Sequence, residues 1–320
     1  KIKKNMGVNF PGVALDMPSL AEQDVADLEL AIDEGADWVA LSFVRSPYDK
    51  EAVDAILKDK GVDLPVMAKI EKWEALEHLD EIINTFDGVM VARGDLGVEI
   101  PQEQVPLVQK KIIALANKAG KPVVIATQLL ETMVESPTPT RAEVSDIANA
   151  IFDGTDALLV TGETAIGKFP EKVIDVLSRV ILETEQTINF DKIHQPISHQ
   201  QHTADAISHA TCQIANDMDI GIILTLTHSG STARMIARYK PSADIIALTP
   251  VEKTYRQLSI IWGVTPNMID QYSNSDDIPN VSSEFIGKNH LLDKGEHYVV
   301  TGGVPVGVSG TTNYLFVQKA

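Results

Sequence analysis

Two rhythms of apolar residues alternate between about residue 20 and residue 188. Short apolar runs occur at Asp37–Val44, Pro65–Ile70, Gly88–Ala92, Pro122–Thr127 and Ala157–Thr161. They are rich in Val, Ile, Leu and Ala and do not alternate with polar residues. That pattern predicts strands buried on both faces of a parallel sheet. Between them lie stretches with a helical period: Leu20–Glu34, Pro47–Lys60, Glu74–Thr85, Gln104–Ala119 and Arg141–Asp153. Another, Glu171–Ile188, follows the last strand. Gly35, Gly61 and Gly120 sit just past helix ends, where a left-handed residue closes the last turn. Strand and helix in strict succession imply right-handed βαβ units. Five strands are visible, against eight in a closed β/α barrel.

A polar stretch without period, 189–201, separates a second α/β region. It opens with a helix over Thr203–Asp217. Strands are expected at Gly221–Leu226, Ile245–Leu248, Tyr298–Thr301 and near Tyr314–Val317, with an irregular segment near Val264–Ile269. Helices at Thr232–Tyr239, Lys253–Ile260 and Ser282–Lys288 fall between them. This reads as an open doubly wound sheet.

Length and composition narrow the picture. A chain of 320 residues, 44% hydrophobic and 22% charged, suits two globular domains. No apolar run is long enough to predict a transmembrane helix. The basic start, Lys1–Asn9, is not followed by the apolar stretch of a secretory signal. The one cysteine, Cys212, rules out an internal disulfide and suits a reducing, cytoplasmic setting. A net charge of −18 argues against nucleic acid and anionic membranes as partners. A site for an anionic substrate would therefore need local cations.

Reactive side chains fall where such a site is expected. The five strand ends carry Ser42 and Arg45, Lys69 and Glu71, Arg93 and Asp95, Thr127 and Gln128, and Thr161 and Glu163. The C-terminal strand ends are the active face of β/α barrels, so these residues should converge. Lys69 and Glu71, two apart, share a side of an extended chain. They read equally as a salt bridge at the strand mouth or as a cation and a metal ligand. Asp95 lies between Gly94 and Gly97 and reads as a helix N-cap or as a second ligand. Two carboxylates, with no His or Cys cluster near, suit Mg²⁺ better than zinc. Thr127 reads as a cap or as a substrate contact. Thr140 and Glu143 form a capping box, and Asp146 and Asn149 share one face of the helix that follows.

The segments LSFVR (41–45), MAKIE (67–71), VMVARGDLGVEIP (89–101), KPVVIATQLLETM (121–133) and PTRAEVSDIANAIFDGTDALLVTGETA (139–165) closely resemble the pyruvate kinase family. The likeness runs through the chain in order. It implies the tail of an inserted lid domain over 1–12 and the C-terminal part of a catalytic (β/α)8 barrel over 13–190. An α/β effector domain would follow over 191–320. It further implies phosphoryl transfer from phosphoenolpyruvate to ADP, giving pyruvate and ATP. By resemblance, Glu71 and Asp95 would hold Mg²⁺ or Mn²⁺, and Lys69 would steady the charge on the phosphoryl group and the enolate. The backbone of Gly94 and Asp95, with Thr127, would hold the substrate carboxylate. Thr161 and Glu163 fall in the proton-relay motif, where Thr161 stands in place of the family's serine.

In the second region Thr227, His228, Ser229, Gly230, Ser231 and Thr232 resemble the family's phosphate-binding loop, implying a sugar-phosphate or nucleotide effector. The family often has a basic residue where His228 or Ser231 stands. A second glycine- and hydroxyl-rich loop spans 302–312. The resemblance also implies a homotetramer, with Arg93 a candidate subunit contact. Potassium dependence would rest on ligands in three further strands, without which the chain alone is expected to be inactive. Two other readings suit the same residues. One is a different Mg²⁺-dependent barrel enzyme of a pyruvate enolate, and the other is a non-catalytic, effector-binding fragment.

Overall fold

The computed structural model describes residues 12–13, 18–188, 202–272, 274–308 and 310–320. The chain divides into two compact units, 1–187 and 188–320. The lid-domain tail expected over 1–12, save Gly12, and the polar stretch 189–201 lie outside the described residues.

The first unit is built on a parallel sheet of five strands in sequential order. These are β1 (Val39–Leu41), β2 (Val66–Ile70), β3 (Gly88–Ala92), β4 (Val123–Ala126) and β5 (Ala157–Leu159). The register runs Lys69 beside Met90 and Ile70 beside Val91, then Val91 beside Ile125 and Ala92 beside Ala126. Helices α1 (Glu22–Asp33), α2 (Asp49–Lys60), α3 (Trp73–Glu77), α4 (Leu79–Thr85), α5 (Arg93–Glu99), α6 (Val105–Ala119), α7 (Arg141–Phe152), α8 (Gly162–Ala165) and α9 (Pro170–Glu185) alternate with the strands. All five expected strands form. β3 and β4 are wholly buried and β2 nearly so, whereas the outer strands β1 and β5 are partly exposed. The apolar runs of the inner strands thus report two covered faces. Gly61 and Gly120 close α2 and α6 in the left-handed region, at φ 65° and 68°. The helix expected over Glu74–Thr85 is broken at His78 into α3 and α4. α5 and α8 were not foreseen.

The second unit holds β6 (Ile222–Leu226), β7 (Asp244–Thr249), β8 (Val264–Met268), β9 (His297–Gly303) and β10 (Thr312–Lys319), ordered β10-β9-β6-β7-β8. Its helices are α10 (Thr203–Asp217), α11 (Ser231–Ala237), α12 (Glu252–Gln257) and α13 (Ile278–Lys288). Successive strand residues feed opposite cores. Ile223, Ile245, Ala247 and Val299 pack with Cys212 and Ile236, while Leu224, Ile246, Leu248 and Val300 pack with Tyr272 and Ile286. Two findings differ from the sequence reading. The segment near Val264–Ile269 is a regular strand, and Pro266 is tolerated because β8 is an edge. β10 runs antiparallel to β9. Among the described residues no helix lies between Gly303 and Thr312, and a connection that short cannot make a parallel crossover.

Candidate active site at the strand ends

β2 delivers Lys69 and Glu71 to the same end of the sheet, and the two pair directly. Lys69 Nζ lies 2.7 Å from Glu71 Oε1 and donates to Ser42 Oγ at 2.8 Å. The other Glu71 oxygen, Oε2, accepts from the Phe43 N–H at 2.8 Å. The Glu71 side chain is 1% exposed and that of Lys69 is 25% exposed. Phe43 directs its N–H there from a left-handed backbone, φ 55°. That conformation costs about 1–2 kcal/mol, comparable to the roughly 1.5–3 kcal/mol of a hydrogen bond to a charged acceptor. The salt-bridge reading of this pair is therefore seen. It leaves a cation facing outward from a buried anion.

β3 ends by turning at once into α5. Asp95 sits in the first turn of that helix and is exposed. It is not the N-cap, which is Ala92. An acid in a first turn is favoured by the helix dipole by about 0.3–1 kcal/mol. Glu71 lies one residue beyond the Ile70–Val91 pair and Asp95 three beyond Ala92, so both follow adjacent strand ends.

Thr127 follows β4 with φ 65°, and Gln128 follows with φ 54°. Two consecutive non-glycine residues in the left-handed region are uncommon, the more so with one β-branched. The Thr127 hydroxyl donates to Ala126 O at 2.6 Å and accepts from the Gly94 N–H at 2.8 Å. It thus ties the β4 end to the first turn of α5. A Cβ added at Gly94 would meet Thr127 Oγ1 at 3.5 Å, an ordinary contact.

Beyond β5, Thr161 is exposed and Glu163 is 3% exposed. Glu163 Oε1 accepts from the Leu130 N–H at 3.2 Å and Oε2 from the Thr161 N–H at 2.9 Å. Both carboxylate oxygens hold backbone, so Glu163 fixes the β4 and β5 loops to each other. A Cβ on Gly167 would lie 2.2 Å from Glu163 O, which explains the glycine there.

Arg93, a candidate subunit contact in the sequence, has partners within its own chain. It is 6% exposed and turned inward, onto the carbonyls of Thr127 and Gln128 and the Asp146 carboxylate. It serves this chain's own loop. Sequence reading also missed Ser42 and Phe43 as partners of the Lys69–Glu71 pair. Lys72 was missed too; its Nζ donates to Glu99 Oε1 at 2.6 Å and ties β2 to α5. Each such contact joins residues 27 or 28 apart and carries no local signal. A cavity of about 780 Å³ lies against β1 and α1, and Ser42, Phe43 and Lys72 are among its walls.

No grouping of three or more His, Cys, Asp or Glu able to hold a metal occurs among the described residues. A set of two carboxylates still fits a hard cation that keeps water and substrate oxygens as its other ligands. Glu71, pre-oriented and buried, and Asp95, exposed beside it in the fold order, have the chemistry for that role.

In the second unit the two hydroxyl-rich loops do meet. Thr227, His228, Ser229, Ser231, Thr232, Gly303 and Thr311 are among the walls of one cavity of about 20 Å³, the room of roughly a single water. Thr232 Oγ1 and Thr312 Oγ1 lie 2.8 Å apart, and Thr254 donates to His228 O at 2.6 Å. Gly230 caps α11 at φ 76°. Burial lowers the His228 pKa below the ordinary histidine value.

A parallel β/α sheet with a lysine, two acids and a strained threonine at its C-terminal strand ends is the layout of a β/α-barrel enzyme. Residues 1–174 match the family model for the pyruvate kinase barrel domain, and 205–318 match that for its alpha/beta domain. Over 320 residues the chain is 43% identical to the pyruvate kinase of Clostridium acetobutylicum, covering 99% of this chain and 68% of the relative. It is 43% identical to pyruvate kinase 2 of Synechocystis sp. and 44% to the pyruvate kinase of Sporosarcina psychrophila. In each case 99% of this chain aligns, against 53% and 55% of those relatives. The chain thus spans about half to two thirds of the length of these proteins. It belongs to the pyruvate kinase family.

Proposed function

We propose that the protein transfers a phosphoryl group from phosphoenolpyruvate to ADP, giving pyruvate and ATP. The observation that carries this reading is the Lys69–Glu71–Ser42 cluster beside the Thr127–Gly94 link at the ends of β1 to β4. Glu71 and Asp95 would hold a divalent cation, Mg²⁺ or Mn²⁺, which neutralises phosphate charge and stabilises an enolate when bound. Lys69, held by Ser42 and Glu71, places an ammonium where negative charge spreads during the transfer. The first turn of α5, with Gly94 and Asp95, and the Thr127 hydroxyl would receive the substrate carboxylate. Thr161, its backbone fixed by Glu163, would take part in delivering the proton to the enolate carbon.

The test is pyruvate formation from phosphoenolpyruvate by the protein at its full natural length, with ADP and Mg²⁺ and with each omitted. Turnover that needs all three is expected. No turnover, or turnover indifferent to ADP, overturns the reading. A homotetramer in the cytoplasm belongs to the same reading. The lone, buried Cys212 suits a reducing compartment.

We also propose that Thr227 to Thr232 bind an anionic effector, a sugar phosphate or a nucleotide. Hydroxyls and the α11 end support it; burial, which disfavours the charged form of His228, weakens it. Burial disfavours the charged ring of His228, so positive charge enters the loop as pH falls below the ordinary histidine range. Effector affinity is therefore expected to rise as pH falls from 7.5 to 5.5, and the rise to vanish in His228→Asn. Calorimetric titration with fructose bisphosphate and with AMP checks this; a flat profile for both in the wild type sinks it.

A further inference from the structure

Arg93 has the features of a residue acting through another. It is a charge buried to 6% exposure, and its donors are spent mainly on one loop. Nε and Nη2 donate to Thr127 O at 3.2 and 2.9 Å, and Nη2 also to Gln128 O at 2.8 Å. Nη1 meets Asp146 on α7, which supplies the counter-charge. The two carbonyls it grips belong to the two consecutive left-handed residues, at φ 65° and 54°. Strained backbone of this kind persists only where its surroundings over-determine it. The fork of a guanidinium can reach two successive carbonyls while facing a carboxylate, and an ammonium cannot do so in one geometry.

We propose that Arg93 is a positioning residue for Thr127: it holds the Thr127–Gln128 backbone left-handed and thereby sets the Thr127 hydroxyl against the Gly94 N–H. The role in turnover rests on the functional reading above; the role in geometry does not. Gly94 N–H lies in the first turn of α5, where the helix offers it no carbonyl partner. Thr127 Oγ1 is its acceptor. Its exchange with solvent therefore reports the clamp directly.

The experiment compares Arg93→Lys with the wild type in two measurements, Gly94 amide exchange and steady-state kinetics. Arg93→Lys keeps a cation facing Asp146. It is expected to lower Gly94 protection about tenfold and kcat about 10- to 100-fold, as small misplacements of a reacting group do. KM for ADP should stay within about twofold. Adding Gln128→Gly should restore at least about a third of the lost protection and rate, since glycine adopts the left-handed region without help. That rescue separates positioning from a plain loss of fold. If Arg93→Lys does not fold, the Arg93→Lys/Gln128→Gly double variant is set against Gln128→Gly alone. Unchanged Gly94 protection in Arg93→Lys, or a loss that Gln128→Gly leaves untouched, overturns the proposal. A wild type without turnover overturns the functional reading, and the exchange arm still decides the clamp.

Discussion

Lys69 is the side chain on which the proposed chemistry turns, and its replacement separates two effects. Lys69→Met removes the ammonium that faces Ser42 and Glu71. We expect kcat to fall about 10²- to 10³-fold, the usual loss when one group stabilising developing charge is removed. Glu71 would then stay 1% exposed without its cation, so a drop in stability should accompany the loss. Steady-state rates together with urea midpoints check both. Gly94→Ala should behave in the opposite way. The added methyl meets only an ordinary 3.5 Å contact, and alanine suits a helix better than glycine by about 0.8–1 kcal/mol. Stability should hold or rise while KM for phosphoenolpyruvate increases several-fold, because the methyl stands where the substrate carboxylate would approach. A Gly94→Ala enzyme with unchanged KM would remove that backbone from the proposed site.

At the scale of elements, α7 shows how one carboxylate can govern a junction. Thr140 caps the helix, and Glu143 accepts from the N–H groups of Thr140 at 2.7 Å and Thr132 at 2.8 Å. Burial pushes the Glu143 carboxyl up, but those hydrogen bonds outweigh it and hold it below its ordinary value of 4.5. A lowered value means the ionised form stabilises the fold. That contribution is whole above about pH 4.5 and fades as pH falls through the lower, folded value. Glu143→Gln should therefore lose stability at pH 7 and lose less at pH 3; equal losses in urea titrations at both would contradict it. Thr140→Ala should cost about 0.5–2 kcal/mol. This capping box was legible, because its two residues lie three apart. α5 was not. Asp95 reads as an N-cap, yet the helix already starts at Arg93 and runs through Gly94 and Gly97, and Leu96, wholly buried, anchors it. The burial of one leucine offsets two poor helix formers, and no local rule sees that burial. The site followed the same division. The placement of the candidates Lys69, Glu71, Asp95 and Thr127 at strand ends was readable, because each follows or ends an apolar run. Ser42, Phe43 and Arg93 acquire their partners only when distant strands align.

At the scale of the whole chain, the strands of the first unit were readable because each is a short apolar run, whereas β8, with Thr265, Pro266 and Asn267 in it, read as irregular. The direction of β10 was not readable, since it depends on a connection too short for a crossover. The order of the second sheet has a consequence for how the protein is made. β6 lies at the centre, and its partner on one side is β9, which begins at His297. During synthesis, a ribosome that has released β6, β7 and β8 has exposed a strand whose other neighbour is not yet translated. The core formed by Leu224, Ile246 and Tyr272 with Tyr298 and Val300 waits for that neighbour. Nascent chains stalled before His297 should have a second unit open to limited proteolysis, and chains stalled well past Lys319 should not. Protection already complete in the shorter chains would show that β6, β7 and β8 settle without β9. A second unit that stays open until His297 emerges would depend on chaperones for the time needed to translate 227–297.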